Sequence, residues 1–297
     1  MNNALVDKMT LAGEDQLASR LDQAFKSGWS SYRRALKRCQ KKLSRAAVHQ
    51  LRVKTRRLLA LMDLFDPLLE GRARVKVSRS FKQPFKDSGR LHDTQMILRG
   101  LERKLHRYSD AKRFKNELLR REKRLVRQLE RKLRRTRLKP LKNRMDALRK
   151  ELHAVLKQAG SRHRAWVRLL KSVGLAFANA VARRRDIVPA NPQTVHRTRV
   201  AFKKFRYMVE QLRPLRSRLP VGLPGKLRSH QKLMGDIQDC ETLLAALEKF
   251  MREEKSADRR LRKFRTAVKR DHAVFMTRYL RRADEIFSFW KSSDRFR

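Results

Sequence analysis

The sequence predicts an all-α protein made of two similar halves, and three observations predict it. Apolar residues recur at intervals of three and four along most of the 297 residues, while strand-like alternation is nearly absent. The segment Val48 to Leu68 (VHQLRVKTRRLLALMDLFDPL) returns as Val195 to Leu215 (VHRTRVAFKKFRYMVEQLRPL), an internal repeat at an offset of 147 residues that governs every later assignment. Only ten Gly and eight Pro interrupt a chain that is 40% hydrophobic, which argues for long helices around a core rather than a disordered basic tail.

Taken in order, residues Glu14 to Arg38 read as an amphipathic helix through Leu17, Leu21 and Phe25. The counterpart, Ser161 to Arg185, carries Trp166, Leu169, Leu170 and Phe177. The duplicated helix follows. Its first copy sets Val48, Leu51, Thr55, Leu58, Met62 and Phe65 on a packing stripe, with Arg45, His49, Arg52 and Arg56 on the stripe beside it. The second copy packs through Val195, Phe202, Phe205, Val209 and Leu212 and carries His196, Arg199, Lys203 and Arg206 on its basic side. Both copies end at a proline, Pro67 and Pro214.

Beyond the motif, with one residue lost, Gly89-Arg-Leu-His-Asp93 aligns with Gly235-Asp-Ile-Gln-Asp239. A fourth helical segment closes each half, over residues 110–137 and 258–289. Breaks at Pro140 and near Gly160 leave 141–156 as a bridging helix and divide the chain into 1–157 and 158–297, each expected to form a four-helix bundle. Further turn signals stand at Glu70-Gly71, Pro189 to Pro192 and Pro220 to Gly225.

The charge speaks about partners. With 78 Lys plus Arg against 29 Asp plus Glu, a net +49, most cationic side chains have no acidic partner within the molecule. Such a balance points to a polyanion: nucleic acid, an anionic membrane or a polymer of phosphate. Two isolated cysteines, Cys39 and Cys240, give no disulfide framework and fit a reducing compartment. The first residues lack a basic segment followed by an apolar core, and the longest mostly apolar stretch, Val173 to Ala182, falls short of the roughly 20 residues that a membrane span requires. A cytoplasmic protein with no membrane span is therefore expected.

The duplicated His-x-x-Arg-x-x-x-basic-basic helix, each copy followed by a Gly-x-x-x-Asp helix, resembles the conserved-histidine α-helical domain (CHAD) family over nearly the whole chain. The resemblance implies two four-helix bundles related by a pseudo-twofold axis, a basic central channel and binding of inorganic polyphosphate, with association with polyphosphate granules. By position it implies ligand contacts from His49, Arg52, Arg56 and Arg57 in the first copy, and from His196, Arg199, Lys203, Lys204 and Arg206 in the second. Two departures stand out. Leu59 occupies the position of Arg206, leaving the first copy one cation poorer, and Thr198 replaces the apolar Leu51. The Glu-x-Glu-x-Lys strands of a triphosphate tunnel domain, carried by some relatives, are absent, so the resemblance implies no hydrolase chemistry and no cofactor or metal.

The residues themselves support a phosphate polymer. Such a chain offers a dense line of anionic oxygens and nothing else to recognise, and arginine's planar fork donates two hydrogen bonds to phosphate where lysine acts as a point charge. Arg45 and the His49, Arg52 and Arg56 line stack donors along one helix, and Arg113, Arg120, Arg124, Arg127 and Arg131 extend a basic row elsewhere. Three other readings stand beside this one. His49 and His196 fit equally a structural role, bonded to Asp93 and Asp239. Nonspecific nucleic-acid binding at low salt follows from phosphate contacts alone. His49, His92 and Asp93 imitate part of a metal-dependent phosphohydrolase site, but the second half replaces His92 by Gln238.

Overall fold

The helical periodicity is realised throughout a computed structural model that describes residues 11–69, 72–158, 161–215, 220, 222–254 and 258–290. Among them are ten α-helices and no strand: α1 (Leu11–Lys41), α2 (Arg45–Phe65), α3 (Arg72–Asp87), α4 (Gly89–Glu102), α5 (Lys112–Arg134), α6 (Leu138–Lys157), α7 (Ser161–Arg185), α8 (Pro192–Leu212), α9 (Leu223–Glu253) and α10 (Asp258–Arg282). The expected turn at Glu70-Gly71 lies outside the described residues.

The two motif helices, α2 and α8, begin and end at the repeat offset. Each starts at a side-chain cap: Ser44 Oγ accepts from the Ala47 amide at 3.1 Å, and Asn191 Oδ1 accepts from the Gln193 amide at 3.1 Å. Pro192 adds a pre-set first residue to α8. Both helices bury the expected apolar stripes, with Val48, Leu51, Leu58 and Phe65 in α2 matched by Val195, Phe202, Phe205 and Leu212 in α8. Thr198, where an apolar residue was expected, is fully buried and satisfied, since its hydroxyl donates to the Arg183 carbonyl at 2.7 Å and anchors α8 to the end of α7.

The halves differ in their third element. The first half divides it into α3 and α4 around Ser88, whereas the second runs unbroken as α9. Pro84 lies in α3, where it removes a ladder hydrogen bond and crowds the preceding turn. Its counterpart in α9 is His230, which keeps its amide donor. At the junction the Phe85 carbonyl accepts from Ser88 Oγ at 2.9 Å and from Arg52 Nη1 at 2.8 Å.

The apolar clusters cross between the halves. The larger gathers α1, α2, α3, α6, α7 and α8 with the end of α5, the start of α9 and the end of α10. The smaller joins Ile97, Leu98, Leu101, Phe114 and Leu118 of α4 and α5 to Leu243, Leu247, Phe250, Leu261 and Phe264 of α9 and α10. Both therefore draw on residues from either side of position 157. By length and composition α7 is the one helix among the described residues fit to cross a membrane, yet Leu169, Val173, Phe177 and Ala180 face the protein core. Trp29, Tyr32 and Phe81 pack together, as do Phe177, Phe202, Phe205 and Trp290, so these rings are committed to the interior.

α2 packs directly against α8. Arg57 of α2 pairs with Glu210 of α8 at 3.9 Å, and Lys204 of α8 pairs with Asp63 of α2 at 3.5 Å. Those four positions are equivalent in the repeat, so the contact is reciprocal, as a local twofold between two helices requires. Glu210 also holds the buried Arg206, whose side chain is 8% exposed. Asp63→Asn is therefore expected to cost less than about 1 kcal/mol, the range of an exposed pair. Glu210→Gln, which strands a buried guanidinium, is expected to cost about 3 kcal/mol or more in urea unfolding. Equal costs for the two would contradict this division.

Candidate polyanion site

The packing of α2 on α8 brings the basic rows of both copies to one place. Their charges act on one another across the interface: Arg56 and Arg52 of α2 both press on Lys203 of α8, and Arg56 presses on Arg199. Asp93 of α4 and Asp239 of α9 border the same region and partly offset Arg52 and Arg199. Both aspartates are exposed to solvent at the edge of the basic recess where the rows of α2 and α8 meet. Desolvation raises both carboxyls above their usual range despite the arginines nearby.

The ten sequence-predicted residues divide by whether the protein already engages them. Arg45 donates to both oxygens of Glu122, at 3.0 and 2.9 Å, and sits beside Glu102, tying the start of α2 to α5. Arg57 and Lys204 form the reciprocal pairs between α2 and α8. Arg206, 7% exposed, donates through Nε to Gln231 at 2.6 Å and through Nη1 to Glu210. His196 Nδ1 bonds Gln238, the residue before Asp239. Arg52, 6% exposed, donates through Nη1 to Phe85 O and to Ser88 Oγ at 3.0 Å, and stacks 4.2 Å from the Phe85 ring centre.

Four residues are left with no hydrogen-bond or ion-pair partner among the described residues: His49, Arg56, Arg199 and Lys203. Arg56 has only the Phe85 ring, 5.1 Å away. Arg199 buries its Nε with nothing to donate to. Two of the four come from each copy.

The same division explains the departures between copies. Arg199 is the repeat equivalent of Arg52, but α9 is unbroken and offers no junction for it to cap. The tie between motif helix and third element passes in the second half to Arg206 and Gln231, the equivalents of Leu59 and Phe85. Arg206 is thus a structural tie, and Leu59 costs the first copy no recess cation.

Histidine placement also resolves. His49 lies beside His92 with ring centres 5.9 Å apart, and neither His49 nor His196 bonds the neighbouring aspartate. His92, which the repeat comparison set aside, is therefore part of the recess; the Gly-x-x-x-Asp spacing was its only signal in the sequence. Arg99, Arg103 and Arg121 also reach it electrostatically, acting on His49, Asp239 and Asp93 respectively. Among the described residues no group of three His, Cys, Asp or Glu side chains converges as a metal set.

Crowding shapes protonation. Burial, then the charges of Arg56, Arg199, Arg206 and Arg52, pushes the Lys203 ammonium down to about 6. Burial and the positive charges of Arg52 and Arg56 push His92 down to about 3, and burial followed by Arg56, Arg99 and Arg52 lowers His49. At neutral pH the recess therefore holds arginine charges while Lys203, His49 and His92 are mostly neutral.

The CHAD domain family model matches residues 23–248. The crystal structure of the CHAD domain from the plant Ricinus communis superposes with a TM-score of 0.67 at 15% identity, covering 95% of this chain and 92% of that one. PptA from Streptomyces chartreusis superposes with a TM-score of 0.61 at 18% identity, covering 89% of this chain and 98% of that one. No curated protein matches the chain.

Two stability outcomes follow for the ligand-free protein. Arg52→Ala is expected to lower stability by about 1–3 kcal/mol through its lost charge-assisted bonds, whereas Arg199→Ala is expected to leave it unchanged or raise it. Lys203 binds its proton in the unfolded chain between pH 6 and 10 but not in the fold, so stability should rise with pH across that window. Lys203→Met should raise stability at pH 7 and flatten that rise, as read by thermal melts in a pH series.

Proposed function

The chain belongs to the CHAD family, and on that premise we propose that it binds inorganic polyphosphate in the recess between α2 and α8. The observation that carries the reading is the convergence of Arg56 and Arg199 with His49 and Lys203, basic side chains from both copies that have no hydrogen-bond or ion-pair partner among the described residues. A protein that crowds unpartnered cations incurs repulsion, which a polyanion binding only the folded state relieves by mass action. Arg56 and Arg199 supply forked donors for phosphate oxygens, and Lys203 and the histidines supply charge once protonated. Arg52 adds field while holding the α3–α4 junction.

The same proposal includes the family's two four-helix bundles and pseudo-twofold axis, which account for the reciprocal α2–α8 ion pairs. In it the protein is a binder, without a catalytic step, cytoplasmic and associated with polyphosphate granules. Nucleic acid is the competing ligand. Single-strand binders stack bases on exposed aromatic platforms, and here the main aromatic clusters lie inside the core.

Competition decides between them. At about 150 mM salt, where exposed charges are screened beyond roughly 8 Å, polyphosphate is expected to displace duplex DNA and structured RNA at equal phosphate concentration. Displacement in the opposite direction would overturn the proposal. Substituting Arg56, Arg199 and Lys203 by Gln should weaken polyphosphate binding far more than substituting Arg45, Arg57 and Lys204.

Binding should also be proton-linked. Bound phosphate favours protonated Lys203, His49 and His92, so the complex takes up protons above about pH 6, where free Lys203 is neutral. Affinity should rise as pH falls from 8 to 6, by up to about tenfold per unit for each proton taken up. Titrations showing an affinity independent of pH would exclude Lys203 and the histidines from the ligand site.

A further inference from the structure

Helix α5 carries a second feature that the recess does not absorb. One face is apolar and buried through Phe114, Leu118, Leu125, Leu129 and Leu133. The opposite face is dense in arginine and open to solvent. From Arg121 a ridge runs through Arg124, Arg127, Arg131 and Arg135 in steps of three or four residues, the spacing that stacks side chains along one side of a helix. The ridge rises about 21 Å, four turns.

Its two ends are in different states. Arg121 is half-buried and acts on Asp93, so the ridge starts at the wall of the recess. Arg124 is 66% exposed and meets only Glu117, at 3.0 Å, in a pair of the kind worth little at a surface. Arg127, Arg131 and Arg135 are exposed, with no hydrogen-bond or ion-pair partner among the described residues. Of the neighbouring carboxylates on α5, Glu122 is held by Arg45 and Gln95, which leaves Glu130 as the acid nearest the outer end.

We propose that this ridge is an exit track: a long polyphosphate chain seated in the recess continues past Arg121 and along Arg124, Arg127, Arg131 and Arg135. The proposal rests on the recess as the polyphosphate site. It adds that the protein distinguishes chains by length, because a short oligophosphate is held by the recess alone while a long one engages α5 as well. A flexible line of phosphates suits the ridge, whose arginines have neither aromatic neighbours on their face for stacking bases nor a partner element to enter a groove.

The test compares tripolyphosphate with long-chain polyphosphate on the full chain and on Arg124→Gln/Arg127→Gln/Arg131→Gln. Because these side chains are exposed, the triple variant should melt like the parent, and a melt before titration checks it. Tripolyphosphate affinity should be unchanged within about twofold. Long-chain affinity should fall by about tenfold or more, with a salt slope shallower by about 2 from three lost phosphate contacts.

A control removes equal charge elsewhere, as Lys269→Gln/Arg278→Gln/Arg281→Gln on α10, all exposed positions. It should leave both affinities close to the parent's. An equal loss in the control, or equal effects on the two ligands, would show a general charge effect and overturn the track. A variant that loses duplex DNA binding but keeps long-chain polyphosphate would make the ridge a nucleic-acid surface and overturn it too. Failure of the unsubstituted protein to bind either phosphate ligand would instead remove the recess reading beneath it.

Discussion

The structure depends on one constraint: two helices with the same basic motif pack against each other, so that like charges face one another at the centre of the molecule. Arg56 repels Arg199 across that interface, and Arg56 and Arg52 disfavour the charged form of Lys203. What opposes the repulsion is the continuous apolar cluster on the far sides of α2 and α8, together with the reciprocal pairs Arg57–Glu210 and Lys204–Asp63. Apolar burial is non-directional and grows with area, so it can hold an interface that electrostatics alone would open. Burial first, and the neighbouring arginines second, hold Lys203 down, so proton loss removes both costs.

The two copies carry similar residues in different surroundings. The third element of the first half is interrupted at Ser88, and the Phe85 carbonyl there engages Arg52. In the second half α9 is unbroken, and Arg199 is left unbonded in the recess while Arg206 ties the helices together. Two arginines at equivalent positions thus have different surroundings, one bonded to backbone at the junction and one with a buried Nε that bonds nothing. Motif position by itself does not assign function within a repeat; the hydrogen-bonding needs of the neighbouring backbone do.

Most of the helical fold was legible because periodicity depends on local spacing. The packing stripes and the proline-terminated motif helices fell where three-and-four recurrence placed them, whereas the bridging helix starts at Leu138 and takes Pro140, read as a break, into its first turn, where a proline's missing amide costs nothing. The split of α3 from α4 was not read, although Pro84 and Gly89 were its signals. The candidate site was legible as a set of residue types but not as a set of free ones. Whether Arg45 is free depends on Glu122, distant in sequence and brought near only by folding. The sharing of apolar clusters between halves escaped for the same reason, since a stripe shows which face packs without showing its partner. Thr198 reads in the sequence only as a missing apolar residue because its acceptor, the Arg183 carbonyl, lies on another helix.

The charge of the chain, taken as a total, suggests a molecule that attracts any polyanion. Its arrangement is narrower. At the surface, exposed arginines such as Arg127 and Arg131 of α5 attract anions at long range with little discrimination. In the recess the arginines are crowded until neighbouring titratable groups give up their protons, so an anion entering it meets charge that its own arrival increases. Such a site responds most to ligands of high local charge density, because only those shift several protonation equilibria together. A line of linked phosphates meets that condition better than a nucleic-acid backbone, whose phosphates are separated by sugars. For the proposed polyphosphate site, selectivity would follow from how closely its cations are forced together, and that closeness is set by the apolar packing behind α2 and α8.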